Sequence, residues 1–280
     1  MKKYLQNNDE LINSLDYNFE GYWKLSDYLA IQYQEKSKFD KFSFMEESSN
    51  IAYFATPNMI NKITKPYKCY PAAKITTLEP YKDVIPTVDF FKTIGNRRSK
   101  RNYTEYRISL SEIYQLLHYS YGITGKAKLR NNEGYWNYRA VPSGGGLYPL
   151  EVYIYIQNAD IESGIYHYRP DINAIELISN ITILKDITKA LACDNINMNN
   201  ACCIIFVTSI FLRTLLKYGE RGYRFIMQEV GFLAQNISLI CEAIGLSSCM
   251  LGGFIDDDIN KILGIDGTTE SIQNIIVLGK

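Results

Sequence analysis

The residues that first suggest chemistry are Lys217 and Tyr218, adjacent in KYGERGYRF just ahead of a long apolar run. A lysine with a reference pKa of about 10.4 and a tyrosine near 10 are not bases at neutral pH. In a poorly solvated pocket, desolvation lowers the lysine and its ammonium stabilises a phenolate, so the pair could share one removable proton and act as a base. A surface lysine beside a packed tyrosine is the commoner fate of such a dipeptide, and the chain's 23 tyrosines keep that alternative open.

Three other stretches carry possible binding chemistry. In GNRRSKRNY, Arg97, Arg98, Lys100 and Arg101 surround Ser99. Forked guanidinium donors with a hydroxyl suit a phosphate monoester, although a solvated basic turn has the same composition. In AVPSGGGLYPLEVYIY, Pro142, Ser143, Gly144, Gly145 and Gly146 lead into an apolar segment. Successive glycines let a backbone lie against a flat ligand, or simply make a flexible hairpin. In CMLGGFIDDDINKILGI, the amides of Gly252 and Gly253 are placed either to donate to a ligand or to make a plain turn. Neither a dinucleotide fingerprint nor a Walker A motif is present, since Gly125 and Lys126 are followed by Ala127.

These stretches need elements to position them. Leu110, Ile113, Leu116 and Leu117 recur at helical spacing behind a Ser109/Glu112 capping box. EVYIYIQ from Glu151, GIYHYR from Gly164, IIFVTSI from Ile204 and the final IQNIIVLG read as strands, with helices between them. The strongest helix carries Ile226, Val230, Leu233, Ile237, Ile240 and Ile244, with Phe225, Phe232 and Leu239 as a second stripe and Gly245 as a left-handed cap. Such a helix belongs in the core or in a subunit interface. Residues up to about Lys65 read as short helices and loops. Pro66, Pro71, Pro80 and Pro86 then make an extended connector, and a domain boundary is expected near Val88. The fold class this implies is α+β or α/β, with residues 1–87 as an extension and 88–280 as the main domain.

Composition narrows the classes. With 280 residues, 46% of them hydrophobic, the chain can bury a large core. Thirty basic residues balance thirty acidic ones, so no overall field favours nucleic acid or an anionic membrane. MKKYLQNNDELINSL lacks the apolar core of an export signal, and the apolar run Ala201 to Leu212 is too short to span a bilayer. Six cysteines, two of them adjacent, show neither a disulfide framework nor a zinc pattern, and His118 and His167 are the only histidines. A reduced, cytoplasmic chain without a metal site is expected.

In this order the motifs resemble the nitroreductase-like flavoproteins, in particular the SagB-type azoline dehydrogenases, or thiazole/oxazole-forming oxidases. YQEKSK (Tyr33 to Lys38) and PYKCYPAAKITTL (Pro66 to Leu78) resemble that subfamily's N-terminal signatures. RRSKR resembles its flavin-phosphate motif, VPSGGGLYPLEVY its flavin-facing loop and strand, and KYGERGYRF its catalytic stretch. The resemblance implies an intertwined homodimer of nitroreductase-like fold with FMN in the interface and the Ile226 to Ile244 helix as the dimerisation helix. It implies that Arg97, Arg98, Ser99 and Arg101 hold the FMN phosphate and ribityl chain. Pro142 to Gly146 would then pack on the ring system, and Leu251, Gly252 and Gly253 would face its N5 and O4 edge.

The implied reaction aromatises a peptide thiazoline or oxazoline, with Lys217 and Tyr218 as the base and hydride passing to FMN, which dioxygen then reoxidises. The implied partners are a cyclodehydratase and its precursor peptide. Two alternatives are an NAD(P)H-dependent nitro or quinone reductase, and a flavin-bearing scaffold subunit of a peptide-modifying complex. One departure concerns the C-terminus: generic nitroreductases carry further basic phosphate ligands there, and this sequence ends at Lys280.

Overall fold

Two strands whose residues are buried on both faces set the architecture, because such strands need a layer of helices on each side. The computed structural model describes residues 28–39, 41–79, 87–129, 134–181, 183–192 and 195–280. In chain order come α1 (Leu29–Lys36), α2 (Lys41–Phe54), α3 (Pro57–Ile63), β1 (Lys74–Thr77), α4 (Phe90–Asn96), α5 (Leu110–Tyr121), β2 (Ile123–Lys128) and β3 (Tyr135–Arg139). After a 3-10 turn at Gly144–Gly146 follow β4 (Leu150–Ile156), β5 (Gly164–Arg169), β6 (Ala174–Ser179), α6 (Leu184–Ala190) and β7 (Cys203–Ile210). The chain closes with α7 (Leu212–Tyr218), α8 (Arg221–Ala243), β8 (Ser247–Leu251), α9 (Asp256–Leu263) and β9 (Glu270–Gly279).

Seven strands form one antiparallel sheet in the order β1-β6-β5-β4-β7-β9-β8, while β2 and β3 make a separate ribbon. This is an α+β architecture. The expected alternation of helices and strands fails from β4 to β6, which turns alone connect. β1, β2, β3 and β8 lack the unbroken apolar run that marks β4 and β7 in the sequence.

Period-two alternation in β4 sorts its side chains into two cores. Leu150, Val152, Ile154 and Ile156 pack with Ile113, Leu116 and Leu117 of α5 and with Ile226, Leu233 and Ile237 of α8. Tyr153 and Tyr155 face the other way, onto Ile187 of α6 and Ile259 and Leu263 of α9. Each fully buried Leu or Ile here contributes about 1.5–3 kcal/mol. The capping box forms as expected, with Ser109 Oγ accepting from the Glu112 amide at 3.2 Å and Glu112 Oε2 accepting from the Ser109 amide at 2.9 Å. Gly245 takes φ 77°, the left-handed conformation expected after α8.

Two compact units are present, residues 1–49 and 50–280. In the first, YQEKSK closes α1: Ser37 Oγ donates to the Tyr33 carbonyl at 2.7 Å and Lys38 pairs with Glu35 at 2.5 Å. In the second, PYKCYPAAKITTL clasps the sheet. Lys68 Nζ donates to Glu270 Oε2 (2.6 Å) and Tyr153 Oη (2.7 Å), the Tyr70 amide reaches Glu176 at 3.2 Å, and β1 pairs with β6. Pro80, Pro86 and the first 27 residues lie outside the described residues. A domain division at residue 87 stands as a proposal.

Candidate functional site

Lys217 and Tyr218 end α7, a short helix between the central strand β7 and the long helix α8. Lys217 is buried, at 9% exposure, and Tyr218 is half-buried. The ammonium lies 5.2 Å from the Tyr218 ring centroid, and that ring meets Phe225 edge-on at 5.0 Å. Burial lowers the Lys217 pKa from its ordinary value and raises that of Tyr218. Both shifts favour the neutral side chain, because each charged form loses hydration. The phenolate stabilisation expected from the sequence does not show in this shift, whose cause is the withdrawal of Tyr218 from water.

The glycine loop comes directly against this pair. Gly145 adopts φ 64° and ψ 16°, and a Cβ there would stand 2.8 Å from Lys217 Nζ and closer still to Tyr218 Oη. A Cβ on Gly144 would meet Phe225 at 3.2 Å, and one on Gly146 would meet Trp136 Nε1 at 2.6 Å. Gly145 and Gly146 take positive φ, which glycine adopts without a steric cost, and Tyr148 at φ 47° holds the strained non-glycine position of the loop.

Side chains from several elements hold that conformation. Ser143 Oγ accepts from the Tyr148 amide at 2.9 Å, and Tyr148 Oη accepts from the Arg139 amide at 2.9 Å. The Arg139 guanidinium lies 4.5 Å from the Tyr121 ring and 4.9 Å from the Tyr148 ring. Tyr121 in turn donates to Glu229 Oε1 at 2.8 Å. Burial pushes Glu229 up to about 7, against the opposing hydrogen bonds from Ser143 and Tyr121. Arg213, at the start of α7, sits 2.5 Å from Glu151 and donates to the Tyr148 carbonyl at 3.3 Å. Burial alone would raise the Glu151 carboxyl, but Arg213 and His167 outweigh it and bring it down to about 2.

The other two motifs meet elsewhere. Ser99 bridges Ser248 in parallel, and the Lys100 amide donates to the Ser248 carbonyl at 3.0 Å, so RRSKR runs beside β8. Arg97 is half-buried, Ser99 and Arg101 are exposed, and no ion pair engages either guanidinium among the described residues. Arg98 differs, folding back onto the carbonyls of Gly95 and Arg97 at 2.9 and 2.7 Å. At the far end of β8, Leu251 is buried while Gly252 and Gly253 are exposed. Lys280 Nζ lies 4.4 Å over the Tyr106 ring.

The basic motif thus borders the strand that follows the C-terminal end of α8, whereas the glycine loop touches Phe225 near the helix's N-terminal end. At a rise of 1.5 Å per residue, Phe225 and Ala243 are about 27 Å apart along the helix. Along α8, Tyr223, Met227 and Phe232 are exposed at 38%, 37% and 44%, while Ile226, Val230, Leu233 and Ile237 are buried. Trp136, Arg213, Phe225 and Glu229 were not among the expected site residues. Glu229 did carry a signal, being a carboxylate at helical spacing among Ile226, Val230 and Leu233 on the buried face. No helix among the described residues is long and apolar enough to cross a membrane.

An antiparallel sheet between helical layers, with a glycine loop pressed on a short helix, is the arrangement in which the chain can be compared with known proteins. The nitroreductase family model matches residues 94–280, and the chain belongs to that family. Among its relatives is MJ1384 of Methanocaldococcus jannaschii, named for the nitroreductases, which is 31% identical over 170 residues covering 60% of this chain and 81% of that protein. The microcin B17-processing protein McbC of Escherichia coli is 29% identical over 136 residues, covering 47% of this chain and 50% of McbC. The chain spans only half of that relative's length.

Among solved structures, a nitroreductase-type protein of Anabaena variabilis superposes with a TM-score of 0.68 at 25% identity, covering 89% of this chain and 45% of that one. A chain of the E. coli microcin synthetase McbBCD complex with truncated pro-MccB17 bound shares the fold, with a TM-score of 0.54 at 19% identity over 88% of this chain and 98% of that one. The protein is a nitroreductase-like oxidoreductase related to proteins of peptide maturation.

Proposed function

We propose that this chain is an FMN-dependent dehydrogenase that oxidises thiazoline or oxazoline rings in a ribosomally made peptide to thiazoles or oxazoles. The observation that carries the proposal is the packing of Gly145 on Lys217 Nζ and Tyr218 Oη, which puts a base candidate beside a loop suited to a flat ligand. The residues present fit FMN: Arg97 and Arg101 offer guanidiniums without an ion pair among the described residues beside Ser99, and Gly145 carries no side chain of its own between its backbone and a flat ligand. Arg97, Ser99 and Arg101 would hold the phosphate, Pro142 to Gly146 would face the ring, and Leu251 to Gly253 would border its edge. Arg98 would first have to leave its backbone carbonyls. When bound, FMN supplies a two-electron acceptor for the hydride that leaves Cβ of the azoline.

The chain's own part is proton removal. Burial favours the neutral amine of Lys217, whose lone pair would take the Cα proton as the Cα=Cβ double bond forms. Burial keeps Tyr218 a phenol, which would orient the amine or the ring by hydrogen bonding. Because the basic motif and the glycine loop lie toward opposite ends of α8, we propose that each complete site joins two copies of the chain through the exposed stripe of that helix. A cyclodehydratase that makes azolines and its precursor peptide would be the partners.

A second reading, an NAD(P)H-dependent nitro or quinone reductase, is favoured by the likeness to MJ1384 over most of that protein's length. Stopped-flow absorbance of the FMN-loaded protein separates the two. Bleaching by an azoline peptide, lost in Lys217→Ala and weakened in Tyr218→Phe with FMN still bound, supports the first. Fast bleaching by NADPH alone supports the second.

A further inference from the structure

The helix that presents Lys217 is only seven residues long, and its N-terminal residue Phe211 supplies no side-chain cap. Such a helix leaves its last carbonyls without intrahelical partners, and water that meets them also reaches neighbouring side chains. Here the carbonyl of Leu215 is met by the Gly219 amide at 2.8 Å. The next two are met by one distant side chain: Asn50 Nδ2 donates to the Leu216 carbonyl at 2.9 Å and to the Lys217 carbonyl at 3.0 Å. Two carbonyl acceptors fix the amide orientation, because only the NH2 end can serve both. Asn50 begins the second compact unit and precedes residue 94, where the family match starts.

We infer that Asn50 is a positioning residue for Lys217, clamping the last turn of α7 and keeping water away from the ammonium. Arg213 anchors the other end of the helix to Glu151 and to the Tyr148 carbonyl, so α7 is fixed at both ends. Burial is the sole cause of the lowered Lys217 pKa, and no charge partner would preserve the shift if the turn opened. A segment outside the matched family region thereby sets the proton affinity of the candidate base. The catalytic meaning of this clamp rests on the reading of Lys217 as the base, but the clamp itself can be tested without turnover.

The experiment is pH-dependent trace acetylation of the FMN-loaded full chain, read by mass spectrometry at Lys217, in the wild type, Asn50→Ala, Asn50→Asp and Asn50→Gln. Far-UV circular dichroism and FMN fluorescence quenching run alongside to confirm that each variant folds and binds. In Asn50→Ala the Lys217 pKa returns toward 10.5, and labelling at pH 8 falls about three- to tenfold. Asn50→Asp, isosteric but with acceptors facing acceptors, shifts it further, and Asn50→Gln, which keeps the donors on a longer arm, lies between Ala and wild type. Folded, FMN-bound Ala and Asp variants with an unshifted Lys217 profile overturn the inference. If instead the labelling shifts but Lys217→Ala leaves azoline oxidation intact, the clamp stands and the base assignment falls.

Discussion

Gly145→Ala probes the contact that joins the glycine loop to the Lys-Tyr pair. The residue sits at φ 64°, where a side chain costs about 1–2 kcal/mol relative to glycine. The new methyl group would lie 2.8 Å from Lys217 Nζ and closer to Tyr218 Oη, and overpacking of that kind adds about 1–3 kcal/mol. A total of about 2–5 kcal/mol then divides between global stability and displacement of the two side chains. Pushing Lys217 outward rehydrates its ammonium, so its pKa should climb back toward 10.5. Urea unfolding measures the first share, and trace acetylation of Lys217 against pH measures the second. Gly252→Ala is the matched control, since nothing lies within 4 Å of its Cβ position and its φ is not positive. That variant should unfold within about 0.5 kcal/mol of wild type. If Gly145→Ala proves as innocuous as Gly252→Ala in both measurements, the loop and the pair do not meet in solution and the proposed site dissolves.

Other perturbations test other parts of the arrangement. Glu229 holds its proton up to about pH 7 when folded, against 4.5 ordinarily, so the folded chain binds the extra proton between those values and stability falls as pH rises through them. The full span is worth on the order of 3 kcal/mol, and urea midpoints across pH 4.5 to 7 should flatten in Glu229→Gln. Arg213→Met strips the buried Glu151 of its closest cation and should cost about 3–5 kcal/mol at neutral pH, much of it restored by adding Glu151→Gln. Lys217 has the opposite sign to a paired lysine: its lowered pKa penalises folding below that pKa, and the penalty is relieved as pH rises toward 10.5. Lys217→Met should therefore unfold later than wild type at pH 7 while losing azoline oxidation. Phe232→Glu places a charge on the exposed face of α8, and on the proposal that this face joins two copies, sedimentation should show a loss of dimer together with a loss of FMN affinity.

What could be read from the sequence and what could not differ in the range of the interactions involved. Helix α5 and its capping box depend on residues three and four apart, and β4 depends on an apolar run within its own length, so both are visible in a short window. β2 and β3, with few β-branched residues and a glycine, exist because they pair with each other, and no window smaller than the hairpin contains that reason. The site follows the same rule. Lys217 and Tyr218 were legible as residue types, and Gly145 as a position where a side chain would intrude, but their meeting spans more than seventy residues of chain.

The direction of the Tyr218 shift lies beyond the sequence for a related reason. Sequence proximity places a cation beside the phenol, yet the tertiary fold decides how much water both of them lose, and that loss acts on the two groups in opposite directions. A proton shared between an ammonium and a phenolate needs the charges to survive burial, whereas burial here shifts both groups toward their neutral forms. On the proposal that the lysine is the base, the elements that govern its hydration, α7 and the side chains that anchor it, belong to the chemistry as much as the glycine loop does.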